Sequence, residues 1–308
     1  MLPKLETHPF QKTVFIFNPK SGYIGNKKGV IRWIDRIWGS ADRDYCILVT
    51  TRAGEAVHLA RKEAERGAGL IIAIGGDGTL NEVVRGTIGT DACVGLIPAG
   101  SGNGFARHWN IPLDPQNACR GMLSPRIVHC DIGTANQHIF LVTFGCGMDA
   151  VISARYAHST IRGIPSYFYH GVSTFFEYHA PHIQVLQNGR LLYEGRPLLL
   201  TVANAQGYGG GTIIAPEAKA DDGLLDFCVF DSLSIFSSLK YLPNLFNGKV
   251  YKIPGYRHQQ ISRATVILSE NSPVHLDGDY CQDQREIEIR VQPRALRFAL
   301  PSLDRSVP

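Results

Sequence analysis

An aspartate sits inside a glycine-rich turn in the stretch LIIAIGGDGTLNEV, residues 70–83. Glycines at 75, 76 and 78 let a backbone come close to a phosphate, and a helix expected to begin near Thr79 aims its first N–H groups at an anion. A carboxylate there repels phosphate unless a divalent cation bridges the two, or unless it takes a proton or hydrogen bond from a hydroxyl. Both roles belong to phosphoryl transfer. A plain strand-to-helix turn would use the same glycines, so the reading leans on two further loops, NPKSG at 18–22 and PAGSGNG at 98–104. The turn is neither a Walker A loop, since no G-K-[ST] follows, nor a dinucleotide fingerprint, since the G-x-G-x-x-G spacing is absent.

The elements around these loops alternate in period. TVFIF (13–17), YCILV (45–49), LIIAI (70–74) and VGLIP (94–98) read as strands. Between them, 25–38 carries Val30, Ile31, Ile34, Ile37 and Trp38 at helical spacing, GEAVHLARKEAERG (54–67) is helical, and a third helix runs from Thr79 to Arg85. Such a βαβαβ series predicts a parallel sheet with helices on both faces, whose ligands bind beyond the carboxyl ends of the strands. All three glycine loops follow strand ends, so they are expected to converge on one edge.

From about residue 130 the segments shorten. HIQVLQNGRLLYEG (182–195) holds Asn188-Gly189 between apolar runs, a hairpin signal, and GLLDFCVFD, ATVILSE, REIEIRVQ and ALRFAL read as strands of a mainly antiparallel region. Residues 155–180 form an aromatic insert with Tyr156, Ile161, Ile164, Tyr167, Phe168, Tyr169, Phe175, Phe176 and Tyr178, which suits a lipid channel or membrane contact and equally a packed core.

Taken together, GGDGTLNEVVRG, with NPKSG before it, IPAGSGNGFAR after it, APEAKADDGLLDFCVF at 215–230 and HLDGDY at 275–280, resembles the diacylglycerol kinase, sphingosine kinase and ceramide kinase superfamily, including its bacterial lipid kinases. The motifs run in that family's order over nearly the whole chain. GGDGT by itself is shared with NAD kinases. The resemblance implies a Rossmann-like parallel-sheet α/β nucleotide domain and a mainly antiparallel β-sandwich lipid domain, with ATP and Mg²⁺ between them. The expected boundaries are 1–132 and 133–292, with 293–308 a C-terminal segment that can return to the first domain.

The resemblance also implies roles. Asn18, Lys20 and Ser21 of the first loop, Gly75, Gly76, Asp77, Gly78, Thr79, Leu80, Asn81 and Glu82 of the second, and Gly100, Ser101, Gly102 and Asn103 of the third are the expected nucleotide residues. Thr50 joins them, with adjacent Thr51 as its alternative. Asp222, with the backbone oxygens of Lys219 and Leu224, falls where bacterial members hold a structural Mg²⁺. A plain Asp-Gly turn is the competing account of that segment.

At the last motif the family's D-G-E becomes Asp277-Gly278-Asp279. Aspartate is one methylene shorter than glutamate, so Asp279 as general base must come closer to a substrate hydroxyl or act through water. Asp77 competes for that role, and hairpin turn chemistry also accounts for the motif. The GSGNG form of the third loop is closer to sphingosine and ceramide kinases than to diacylglycerol kinases, which leans the acceptor toward a sphingoid base or ceramide. The expected activity is ATP-dependent phosphorylation of a long-chain lipid hydroxyl. An NAD kinase-type enzyme or a non-catalytic nucleotide or lipid sensor is the alternative.

Composition agrees with a globular protein, at 44% hydrophobic and 19% charged residues. No run approaches the roughly 20 apolar residues that span a bilayer, and MLPKLETHPFQK lacks a signal-peptide core, so a cytoplasmic protein peripheral to the membrane is expected. A net charge of +4 is too small to argue for nucleic acid and suits anionic small molecules or transient contact with an anionic membrane surface. A homodimer stays open. The seven cysteines form no C-x-x-C pair, and His158, His170, His179 and His182 have no ligand spacing, so neither set marks a metal site. Lys27, Lys28, Arg32 and Arg36 on the first helix read as a solvated face, whereas Lys20 lies in a glycine loop where a cation would stabilise transferring phosphate.

Overall fold

The computed structural model describes residues 10–22, 27–41, 43–158, 174, 177–208, 210–231 and 234–302. The chain divides into two compact units, Met1–Cys130 with Ala295–Pro308, and Asp131–Arg294.

The first unit holds strands β1 (Thr13–Phe17), β2 (Tyr45–Val49), β3 (Leu70–Gly75) and β4 (Cys93–Pro98), with helices α1 (Lys27–Ile34), α2 (Glu55–Glu65), α3 (Asp77–Thr87), α4 (Gly104–His108) and α5 (Pro115–Gly121). The sheet is parallel in the order β2-β1-β3-β4, and Phe298 and Ala299 pair in parallel with Val94 and Gly95 beyond β4. Every residue of β1, β3 and β4 is buried, the pattern of inner strands covered on both faces, while β2 at the edge is half-buried throughout.

Two helices differ from the sequence expectation. The first is α-helical over 27–34 and then widens into a π-helical turn, Asp35–Gly39, which still buries Ile37 and Trp38; residues 25 and 26 lie outside the described set. The third begins at Asp77, two residues before Thr79, because extended Gly76 serves as its N-cap and an acid in the first turn complements the helix dipole.

The second unit is built from antiparallel pairs. Strands β5 (Arg126–Ala135) and β6 (His138–Phe140) form a hairpin, and β7 (Thr143–Gly147) leads into α6 (Met148–His158). Next come β8 (Ile183–Gln187), β9 (Arg190–Gly195), β10 (Leu199–Ala203) and β11 (Leu225–Phe230). Helix α7 (Ile235–Phe246), β12 (Tyr256–Ile261), β13 (Arg263–Leu276) and β14 (Asp279–Leu300) complete the chain. The order β7-β10-β11-β12 forms one antiparallel run, and β13 pairs with β7, β8 and β14. Alternate residues such as Phe144, Val185, Leu200, Val202, Val266 and Ile289 bury a shared core.

Asn188 and Gly189 both take positive φ (53° and 75°) between β8 and β9, the two-residue hairpin turn that their identities demand. Asp277 and Gly278 do the same (54° and 88°) between β13 and β14. Of the aromatic insert, Tyr156 and Tyr178 are described; Ile161, Ile164, Tyr167, Phe168, Tyr169, Phe175, Phe176 and His170 lie outside the described residues. All seven cysteines are free thiols, and among the described residues no helix is long and apolar enough to cross a membrane.

Candidate functional site

In the first unit the three glycine loops meet at the carboxyl ends of β1, β3 and β4. Backbone approaches that no side chain could share hold them together. A Cβ on Gly100 would lie 2.5 Å from the Cα of Gly76, and one on Gly22 would lie 1.9 Å from the Ala99 carbonyl oxygen. Side chains finish the junction: Asn18 Nδ2 donates to Thr79 Oγ1 (3.1 Å), and Ser21 Oγ lies 3.2 Å from the same hydroxyl. Asn103, at φ 51°, accepts the Gly100 N–H (2.9 Å) and donates to the Gly100 carbonyl (2.7 Å), which closes the third loop on itself.

Asp77 spans two loops. Its carboxylate accepts the Gly104 N–H at 2.9 Å and the Phe105 N–H at 3.0 Å, one on each oxygen. Enclosure by protein pushes its pKa up, against the downward pull of the Phe105 and Gly104 N–H groups. Both oxygens are thus engaged with backbone, which explains an acid in a phosphate turn without asking it to meet the phosphate. It fixes the third loop against the first turn of α3, whose own N–H groups have no partner within the helix and point toward the loop edge.

The remaining expected nucleotide residues take varied positions. Lys20, Ser101 and the Lys20–Ser21 turn edge the junction with exposed or half-buried surfaces, and Lys20 N–H donates to Asn18 Oδ1 at 3.0 Å. Leu80 is fully buried beneath the second loop, while Gly78, Asn81 and Gly102 are half-buried. The Glu82 carboxylate accepts the Gly54 and Ala56 N–H groups at 2.9 and 3.2 Å, so it caps α2. Thr50 is buried and donates its N–H to the Phe17 carbonyl at 2.9 Å, whereas exposed Thr51 donates its N–H and hydroxyl to Glu55 (2.6 and 2.9 Å).

The second unit carries the other two acidic motifs. In the 219–224 turn, Asp222 is exposed and its Oδ1 accepts the Leu224 N–H at 3.0 Å. Fully buried Asp131 braces this turn by accepting the Gly223 and Arg294 N–H groups at 2.6 and 2.7 Å, and its own N–H donates to the Ala220 carbonyl. Buried Asp226 meets His258 Nε2 at 2.5 Å, a contact that raises the His258 pKa. Desolvation raises the Asp222 pKa, and nearby Asp226 and Asp131 add to it. Excess negative charge beside exposed carboxylate and carbonyl oxygens is the donor chemistry of a hard cation that keeps some of its waters. Asp222 and the carbonyls of Lys219 and Leu224 are the groups of this turn that could hold Mg²⁺. Among the described residues, no cluster of three His, Cys, Asp or Glu side chains is arranged around a metal.

In the D-G-D motif the two acids do different work. Asp277 accepts the Leu141, Val142 and Thr143 N–H groups (2.7 Å for Val142, 3.1 Å for the others), which anchors the hairpin turn. Asp279 is exposed at the first position of β14. Beneath the turn, buried His275 accepts the Gly278 N–H on Nδ1 (3.3 Å), so its Nε2 carries the proton toward Asp149 Oδ2 (2.9 Å). Tyr208 donates to that same oxygen at 2.6 Å and also hydrogen-bonds Thr201. Sequence reasoning passed over Asp131, Asp149, Tyr208 and His275. For Asp131 the only signal was a lone acid in the strand RIVHCDIGTA.

The second unit also contains a cavity of about 240 Å³ lined in part by Arg155, Glu177, Tyr178, Leu268, Ser272 and Pro273. Arg155 and Glu177 form a 2.7 Å ion pair there. The buried Tyr178 hydroxyl takes no hydrogen bond among the described residues, and burial raises its pKa. His179 Nδ1 lies 2.8 Å from the Glu177 carbonyl and His182 Nε2 lies 3.4 Å from Glu194, ordinary surface contacts.

Comparison with known proteins matches residues 12–135 to the diacylglycerol kinase catalytic domain, and residues 142–300 to the YegS C-terminal NAD kinase beta sandwich-like domain. The chain is similar to a Pseudomonas putida protein named probable lipid kinase YegS-like, 29% identical over 261 residues, covering 83% of this chain and 85% of the relative. It is also similar to a Bacillus subtilis diacylglycerol kinase, 28% identical over 270 residues, covering 86% and 88%. A crystal structure of a Bacillus anthracis diacylglycerol kinase superposes with a TM-score of 0.76 at 23% identity, covering 97% of this chain and 99% of that one. Yeast NADH kinase shares the fold more distantly, with a TM-score of 0.50 at 10% identity, covering 97% and 85%.

Proposed function

This chain belongs to the family that joins a diacylglycerol kinase catalytic domain to a YegS C-terminal domain, and from that premise we propose that it transfers the γ-phosphoryl group of ATP to the hydroxyl of a long-chain lipid. The observation that carries the reading is the loop junction of the first unit, where Gly22, Gly76 and Gly100 leave backbone in place of side chains and Asp77 locks the third loop to α3. Such a surface accepts nucleotide phosphates on N–H groups. Lys20, exposed at its edge, adds a cation for charge that develops on the transferring group.

Asp279 is the proton acceptor in this reading, because it is exposed and stands at the last acid of the motif, while Asp77 ties two loops together and Asp277 anchors its turn. The lipid hydroxyl loses its proton to the Asp279 carboxylate as its oxygen bonds to the γ-phosphorus. The bond from that phosphorus to the β–γ bridging oxygen breaks, and ADP leaves. Mg²⁺ bound with the nucleotide supplies charge neutralisation on the phosphate oxygens. A Mg²⁺ ion held by Asp222 and the carbonyls of Lys219 and Leu224 would have a structural part, neutralising charge in the 219–224 turn. The acceptor classes are diacylglycerol, sphingoid base and ceramide, and the protein works at the cytoplasmic surface of a membrane.

The test is a transfer assay with labelled ATP, Mg²⁺ and each acceptor in detergent micelles. Labelled product from at least one acceptor is expected. No labelled lipid from any of them, or labelled NADP from NAD without detergent, would reject the reading.

A further inference from the structure

Helix α7 in the second unit is apolar on two faces. Inward, Tyr241 and Leu245 pack against Ala203, Ile214, Cys228, Phe230, Val250 and Ile253. Outward, Phe236 is 81% exposed, Leu239 61%, Leu242 44% and Phe246 53%, and Tyr251 just past the helix is 66% exposed. The intervals of three, three and four residues stack these four side chains in one stripe along the helix. A helix that covers a core normally turns polar residues to water, so a second apolar stripe marks a surface that meets something other than water. The helix is well formed at its start, where Ser234 Oγ accepts the Ser237 N–H at 3.2 Å.

Charge says what that partner is. Between Asp231 and Glu270 the sequence contains no aspartate or glutamate, while Lys240, Lys249, Lys252, Arg257 and Arg263 fall within it. Lys240, Lys249 and Lys252 are exposed, and among the described residues none of the three forms an ion pair. Lys240 instead lies 5.2 Å from the ring of inward-packed Tyr241, and it follows Leu239 of the outward stripe in sequence. Aliphatic and aromatic side chains rimmed by unneutralised lysines match an anionic bilayer, with acyl chains inside and phosphates at the surface.

We propose that α7 and the turn after it, residues 236–252, are an interfacial docking face. It buries Phe236, Leu239, Leu242, Phe246 and Tyr251 at the headgroup boundary of an anionic membrane and sets Lys240, Lys249 and Lys252 on lipid phosphates. This rests on the reading of the chain as a lipid kinase, whose acceptor resides in a bilayer, and it adds the surface by which the enzyme reaches that acceptor.

Vesicle co-sedimentation without nucleotide tests the face apart from turnover. The probes are phosphatidylcholine vesicles with and without about 30 mol% phosphatidylglycerol. Wild type is expected to bind the anionic vesicles, and F236S/L239S/F246S and K240Q/K249Q/K252Q each to lower the partition coefficient by about tenfold or more. Because these side chains face solvent, both variants should keep the wild-type melting temperature and activity on micellar lipid. Equal binding by wild type and the serine variant would overturn the proposal. So would absence of vesicle binding together with a wild-type dimer that the serine substitutions dissociate. Vesicle binding by a protein inactive on every lipid would sink the kinase reading and leave the docking face standing.

Discussion

Replacing Asp77 with asparagine separates an acid that builds the cradle from one that takes a proton. The carboxylate accepts two N–H groups, from Gly104 at 2.9 Å and Phe105 at 3.0 Å. Asparagine keeps one acceptor oxygen and turns an NH₂ group toward the other N–H. One charge-assisted hydrogen bond, about 1.5–3 kcal/mol, is lost, and a buried donor is left facing a donor at about 1–3 kcal/mol. Burial already disfavours the charged form of Asp77, so the neutral amide recovers part of that sum. A net loss of about 2–3 kcal/mol corresponds to a fall in Tm of roughly 4–12 °C for a domain of this size. Scanning fluorimetry and an ATP titration read the result. We expect the lower Tm, ATP affinity weaker by about tenfold as the Gly100–Asn103 loop loosens, and substantial turnover at saturating ATP. Asp279→Asn should do the reverse: unchanged Tm and ATP affinity, and kcat lower by about 10²–10⁴-fold. An Asp77→Asn protein with wild-type Tm and ATP affinity but no turnover would refute the reasoning and hand the proton to Asp77.

Two further outcomes follow from charges elsewhere. Mg²⁺ at about ten times its Kd should raise the Tm of the nucleotide-free protein by roughly 3–6 °C, and Asp222→Asn should abolish that rise without changing the Tm in EDTA; a rise retained in the variant places the ion elsewhere. Glu63 is buried 2.9 Å from Lys12 and 3.1 Å from Arg66, and the Lys12 hydrogen bond holds its pKa below the usual carboxylate value. Its contribution is present above the ordinary glutamate pKa of about 4.3 and is lost as pH falls through the lower folded value. Urea unfolding from pH 6 to pH 3 should therefore show part of the acid decline missing in Glu63→Gln, which starts about 1 kcal/mol less stable at pH 7. Identical acid limbs would remove Glu63 from the account.

What the sequence made legible was period and punctuation. The apolar β-branched runs place β1 to β4, the glycines mark where their ends must pack closely, and Asn188-Gly189 names its own hairpin, because each of these signals lies within a few neighbouring residues. The partners of the polar groups were not legible. Asp77 meets amides 27 and 28 residues away, Glu82 caps a helix that begins 27 residues before it, and Asp131 braces a turn 92 residues on. A single sequence states that an acid is present and leaves open which backbone donors the topology will bring to it. The same limit hid the outward stripe of α7. Its residues IFSSLKYLPNLF have helical periodicity for either face, and only the packing of Tyr241 and Leu245 decides that Phe236 and Leu239 face water.

The D-G-D motif shows how this limit bears on function. By sequence its acids are equivalent, and a shorter side chain in place of glutamate reads as a weakened base. In the structure, positive φ at Asp277 and Gly278 and the three N–H groups on Asp277 commit that residue to shape. His275 supports the turn from below by accepting the Gly278 N–H, Asp149 holds the imidazole, and Tyr208 donates to Asp149 in turn. Asp279 thus follows directly on a backbone fixed from two sides, which sets where its side chain starts. A short carboxylate on a fixed backbone spends less conformational entropy in meeting a hydroxyl than a longer one, which offsets the missing methylene. On that argument Asp279→Glu should not improve turnover, because the added methylene would push the carboxylate past the place that the turn prepares for it.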